Sequence, residues 1–149
     1  MALSSTSPKR IHLKGSGRHE EGTAGAAIKP GHLVMLDTDG DYVPHNNAYG
    51  KAERLFALED ALQGKSIDDS YASGDIVAMT VATPGDEVYA WLAAGEHAVV
   101  GEQLVSAGTG AFMEATDSDV SEERLVVALE EVESESSAGV ETRIKVRVL

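Results

Sequence analysis

VETRIKVRV, residues 140–148, is the stretch on which the fold turns. Val140, Thr142, Ile144, Val146 and Val148 fall on one side of an extended chain, and Glu141, Arg143, Lys145 and Arg147 on the other. Period-2 alternation with one charged face describes a strand with one side in water. Residues 125–132 precede it, and a hairpin centred within 134–139 would pair the two runs. That register sets Leu129 opposite Ile144, Val127 opposite Val146, and Glu130 opposite Arg143. Apolar residues then share one face and opposite charges meet on the other. Leu125, Leu129 and Val132 also fit helical spacing, and Asp119 with Glu122 fits a capping box. Residues 120–133 therefore stay open between strand and helix, with the Val126-Val127 pair and the register on the side of the strand.

Upstream, the same grammar recurs. Pro30-Gly31 precedes a strand signal at 32–36, and a turn at 37–41 leads into 42–45. An apolar run follows at 54–59. Gly74-Asp75 opens 76–82, Pro84-Gly85 turns the chain into 87–93, and four glycines punctuate the runs 103–105 and 111–114. Short strands at such spacing, separated by turn residues, predict an all-β chain with little helix, a small β-barrel or β-tulip-like domain. This domain is expected over 26–149. Residues 1–25, rich in Ser, Gly and charge, read as an extended N-terminal arm that cannot offset its own ordering entropy and is mobile alone. Removing residues 1–20 is expected to leave a folded domain.

Ala (20) and Val (15) make up 35 of the 63 apolar residues, against seven aromatics. Small side chains contribute less burial free energy each, so such a core is thin, and support from an oligomer or a larger surface is expected. No cysteine is present, which removes thiolate nucleophiles, disulfides and Cys-based zinc sites. No apolar run has the length of a membrane span, and no secretory apolar stretch is seen near residue 1. The net charge is −13, yet residues 1–20 hold Lys9, Arg10, Lys14 and Arg18 against Glu20 alone. An acidic body with a basic leading segment argues against nucleic acid and anionic membranes as partners.

Searches for chemistry end without a site. Residues 37–41 (DTDGD) resemble the start of a calcium loop, but Tyr42 and Ala48 fall where the loop needs Gly and Glu. His12, His19, His32, His45 and His97 lack the spacing of a paired ligand set, so no metal is expected. Gly15-Ser16-Gly17 lacks the ending of a phosphate loop, and no nucleophile elbow occurs. No catalytic residue and no cofactor site is predicted; the chain reads as a binding module, not an enzyme. Two sets stand out. Ile11-His12-Leu13, flanked by Lys9, Arg10, Lys14 and Arg18, forms a strand-like basic patch suited to adding to a partner's sheet edge. Tyr89 and Trp91 lie two apart on one strand face, as an exposed subunit contact or a stacking face for a sugar.

The runs TAGAAIKPGHLVML (23–36), RLFALED (54–60), YASGDIVAMTVATPGDEVYAWLAAG (71–95) and GEQLVSAGTGAF (101–112) resemble the head-decoration, or cement, proteins of tailed bacteriophages. These are similar in role to the lambda head-decoration protein. The resemblance spans 23–149 and rests on the rhythm of Ala-Gly, Pro-Gly and Gly-Asp turns between Ala/Val strands. It implies a virion protein, made in the host cytoplasm, that binds the major capsid protein on the capsid exterior. It also implies stabilisation of the shell, a homotrimer at three-fold positions, and an N-terminal segment that orders on the capsid. The alternative is a carbohydrate-binding or adhesion module displayed on a surface.

Overall fold

A computed structural model describes residues 8–116, 122–132 and 140–149. The described chain is all-β, with eleven strands and a single 3-10 turn at Ala61–Gln63. No described helix is long and apolar enough to cross a membrane.

A closed barrel is built around β7 (Glu87–Leu92) and β11 (Thr142–Val148), which pair antiparallel from Leu92↔Thr142 to Glu87↔Arg147. β10 (Val126–Ala128) pairs with β11, β8 (Gln103–Ser106) with β10, and β9 (Phe112–Glu114) with β8. The ring closes where Leu92 of β7 meets Phe112 of β9 in parallel. Val88, Ala90, Leu92, Leu104, Phe112, Val126, Ala128, Ile144 and Val146 are buried in one cluster. The interior of a five-stranded barrel is narrow, so Ala90 and Ala128 suit positions where larger side chains would crowd the opposing wall. The abundance of Ala and Val, read above as a thin core, matches the bore of this barrel.

Beside the barrel lies a sheet ordered β2 (Arg18–Thr23), β6 (Ile76–Val81), β5 (Leu55–Ala57). Phe56 belongs to the barrel-side core and stacks at 6.1 Å on Phe112. The other sheet face, with Leu55, Ala57, Val77 and Met79, forms a second core with Ala24, Ile28, Val34 and Tyr71. Val34 comes from the hairpin of β3 (Val34–Leu36) and β4 (Tyr42–Pro44). Its turn is the calcium-like run: Asp37 Oδ1 accepts the N–H groups of Asp39 and Asp41, both at 2.9 Å, while Gly40 takes φ +85°. That carboxylate is used inside the turn.

Two expectations are corrected. The first is the free arm. Ile11 is fully buried in the barrel-side core, β1 (His12–Lys14) pairs with β7, and β2 pairs with β6 along its whole length. The Ile11 carbonyl accepts the Tyr89 N–H at 2.8 Å, and its own N–H donates to Glu59 Oε2 at 3.0 Å. Residues 11–23 are part of the folded body, because their hydrogen-bond partners lie on strands far along the chain. The second is the C-terminal register. Val127 faces Arg147 and Ala128 faces Val146, one residue away from the expected pairing. A one-residue slip exchanges the faces, so Val126 and Ala128 point inward while Val127 and Leu129 are only half-buried. Residues 126–128 are strand, and the hairpin centre at 134–139 lies outside the described residues.

Candidate functional site

β7 and β11 present their outer faces together, and cross-strand pairing sets Arg143 beside Trp91 and Lys145 beside Tyr89. Over them runs a groove of about 720 Å³ whose lining includes Lys9, Asp68, Tyr89, Trp91, Glu141 and Arg143. The structure thus brings Lys9, from the basic patch, to the aromatic pair Tyr89 and Trp91.

Trp91 is half-buried and held from several sides, which corrects the expectation of an exposed ring. Its Nε1–H donates to the Pro30 carbonyl at 2.9 Å. The Arg143 guanidinium carbon lies 4.3 Å, and Lys29 Nζ 4.8 Å, from the indole centroid. Both are cation–π distances. Gly31 passes so close that a Cβ there would sit 3.2 Å from Trp91 Cδ1 and 2.8 Å from the Tyr89 carbonyl.

Arg143 departs from the expected place on the wet face opposite Glu130. Its side chain is only 9% exposed and clamps the loop 66–68 to the barrel. Nη1 pairs with Asp68 Oδ1 at 3.1 Å, and Nη2 donates to the carbonyls of Pro30 and Ile67. The alternation of residues 140–148 places Arg143 on the outer face but carries no sign that a loop covers it. Glu130 instead bonds the Lys145 N–H through Oε2 at 2.9 Å. Glu141 is held by Lys29 Nζ at 3.1 Å. Next to this group His32 is buried, its Nδ1 accepting the Lys29 N–H at 3.0 Å. Burial, with smaller repulsion from Lys29 and Arg143, lowers its pKa to about 4 despite the opposing pull of Glu141.

The other patch residues disperse. Arg10 is exposed and Leu13 half-buried; Lys14 Nζ lies 3.6 Å from Glu87, and Arg18 pairs with Glu20 at 3.4 Å on the rim of a second groove. His12 Nε2 lies 3.4 Å from Asp86 Oδ2. Burial works against the charged form of Asp86. The Thr83 N–H and hydroxyl, His12 and the Gly17 N–H outweigh it and hold the carboxyl below its usual range.

One contact has the look of a catalytic pair. His45 Nδ1 lies 2.6 Å from Ser106 Oγ, and its Nε2 3.0 Å from the Lys51 carbonyl. Both residues are buried, and Ser106 Oγ also accepts the Gly108 N–H. Both ring nitrogens are engaged, and the pair ties β8 to the loop after β4. Among the described residues, no group of three or more His, Asp or Glu side chains is placed to hold a metal ion.

No protein-family model matches the chain, and no curated protein matches it. Among solved structures, it is similar to the N base of the head fiber protein gp8.5 of bacteriophage phi29. The TM-score is 0.58 at 12% identity, over 90% of this chain and 95% of that one. This likeness establishes a shared fold across nearly the full length of both chains.

Proposed function

We propose that this chain is a structural component of a phage virion that sits on the outer surface of the head. The observation carrying this reading is the shared fold with the N base of a phage head fiber, which spans nine-tenths or more of each chain. The turn-and-strand rhythm that resembles head-decoration proteins points to the same place on the particle. In this reading the protein is a non-catalytic binder that reinforces the shell, acts as a homotrimer at three-fold positions, and is made in the host cytoplasm.

The contact with the major capsid protein is then made by an ordered edge, not by a loose arm. Among the described residues the outer edge of β1 pairs with no strand. Beside it, Lys9 and Arg10 are exposed. A capsid strand adding to this edge gains main-chain hydrogen bonds, and acidic capsid side chains meet the two cations. One such edge binds weakly, whereas three on one trimer gain through effective concentration. Co-sedimentation with undecorated heads tests this. The paired substitution Lys9→Glu and Arg10→Glu is expected to weaken head binding by about tenfold or more, because like charges then face each other. Unchanged occupancy by a folded double variant would contradict the assignment of this edge.

A further inference from the structure

The groove over Tyr89 and Trp91 shares only Lys9, at its rim, with that capsid contact, and its walls are prepared for a ligand. Its volume of about 720 Å³ falls among small-molecule clefts. Two carboxylates in its wall are fixed in advance. Asp68, whose side chain is 83% exposed, is held by Arg143, itself nine-tenths buried and stacked on Trp91. Glu141 is held by Lys29. Hydrogen-bond acceptors positioned before a ligand arrives lose little ordering entropy when they bind it. Lys9 supplies a donor at the rim, and Tyr89 an aromatic surface.

The chemistry of these walls narrows the ligand. A polyanion would meet both carboxylates on a molecule of net charge −13. A cation would find each carboxylate already neutralised by a basic partner. A wholly apolar ligand would strip water from four charged side chains and offer them nothing in return. A neutral polyol with one apolar face uses the aromatic surface, the fixed acceptors and the donors together.

We propose that this groove is a subsite for a neutral oligosaccharide, seated against Tyr89 with its hydroxyls bonded to Asp68, Glu141 and Lys9, while Arg143 holds Asp68 in place. Lys9 is shared with the head contact, but Asp68 and Tyr89 are not, so variants at those two positions let either claim fail while the other stands.

Trp91 is the one tryptophan, so its emission reports on this groove directly. The full chain is titrated with maltotriose, cellotriose and chitotriose, and with a sulfated trisaccharide as the anionic arm. A saturable change in Trp91 emission is expected with at least one neutral sugar, with a Kd on the order of 1 mM. Asp68→Asn and Tyr89→Ala should each weaken that Kd by about tenfold. Asp68 is largely exposed and Asn keeps an oxygen acceptor for Arg143, so this variant keeps the test open should Tyr89→Ala not fold. No saturable response to any neutral sugar, a response to the sulfated sugar alone, or an unchanged Kd in Asp68→Asn would overturn the proposal.

Discussion

Gly15 and Asp86 are in contact because neither the turn nor the carboxylate leaves room for a side chain. A Cβ on Gly15 would lie 1.9 Å from Asp86 Oδ1, and the residue takes φ +112°. Gly17 is as confined, its Cβ falling 2.4 Å from Thr80 Oγ1. The Gly-Ser-Gly run, which resembles a phosphate loop only in composition, is thus a close pass of backbone over a buried acid. Gly15→Ala is expected to lower stability by about 2 kcal/mol or more, since clash and positive φ act together. Chemical denaturation reads this, while Gly74→Ala, with open space around it, serves as the comparison that carries the φ cost alone. His32 supplies a pH prediction. Its folded pKa of about 4 lies below the ordinary 6.5, so the unfolded chain binds the proton more readily. The stabilisation is full above pH 6.5 and is lost as pH falls from 6.5 towards 4, by on the order of 3 kcal/mol. His32→Asn keeps an acceptor for the Lys29 N–H and removes the titration. Its denaturation midpoint should be flat over that window, while the parent chain's declines. The depressed Asp86 acts at lower pH, below the ordinary carboxylate range, so the two losses separate.

At the scale of elements, β1 is the point where sequence and structure diverge. It is three residues long and rests on main-chain pairing with β7 plus the burial of Ile11. Ile11→Ala should therefore cost about 2–5 kcal/mol, as for other core truncations. A free arm would make that substitution neutral, so thermal unfolding of the purified variant decides between the two descriptions. Eight of the nine strands from β3 to β11 were legible because each sits between turn residues and shows alternation or an apolar run at its own location, whereas β10 stayed open between strand and helix because Leu125, Leu129 and Val132 also fit helical spacing. β2 was not, since RHEEGT at 18–23 holds no large apolar side chain and its value as a strand lies in its partner β6. β1 overlaps the strand-like run 11–13, but nothing local marks β7 as its partner. The off-by-one register has a similar cause. Residues 125–129 are apolar at every position, so no polar residue marks which side faces water. The candidate site was legible in part: Tyr89 and Trp91 follow from strand period, whereas Arg143 and Asp68 meet only because the loop 66–68 folds back over the barrel. Such long-range returns leave no local trace.

At the scale of the whole molecule, a narrow Ala- and Val-lined barrel carries a second sheet on its side, and the N-terminal strand binds the two together. The fold, the basic β1 edge and the acidic remainder fit a protein that meets a larger surface on one side and stays self-repelling on the others. This account expects the ionic part of the contact to weaken with salt and the strand-addition part to persist. Quantitative co-sedimentation reads attachment to the head without an intermediate step. Undecorated heads are incubated with rising concentrations of the full chain and bound protein is counted per particle. Saturation is expected at a fixed copy number equal to three times the number of three-fold positions. Failure to sediment with heads at any concentration, or binding that rises without a plateau, would contradict it.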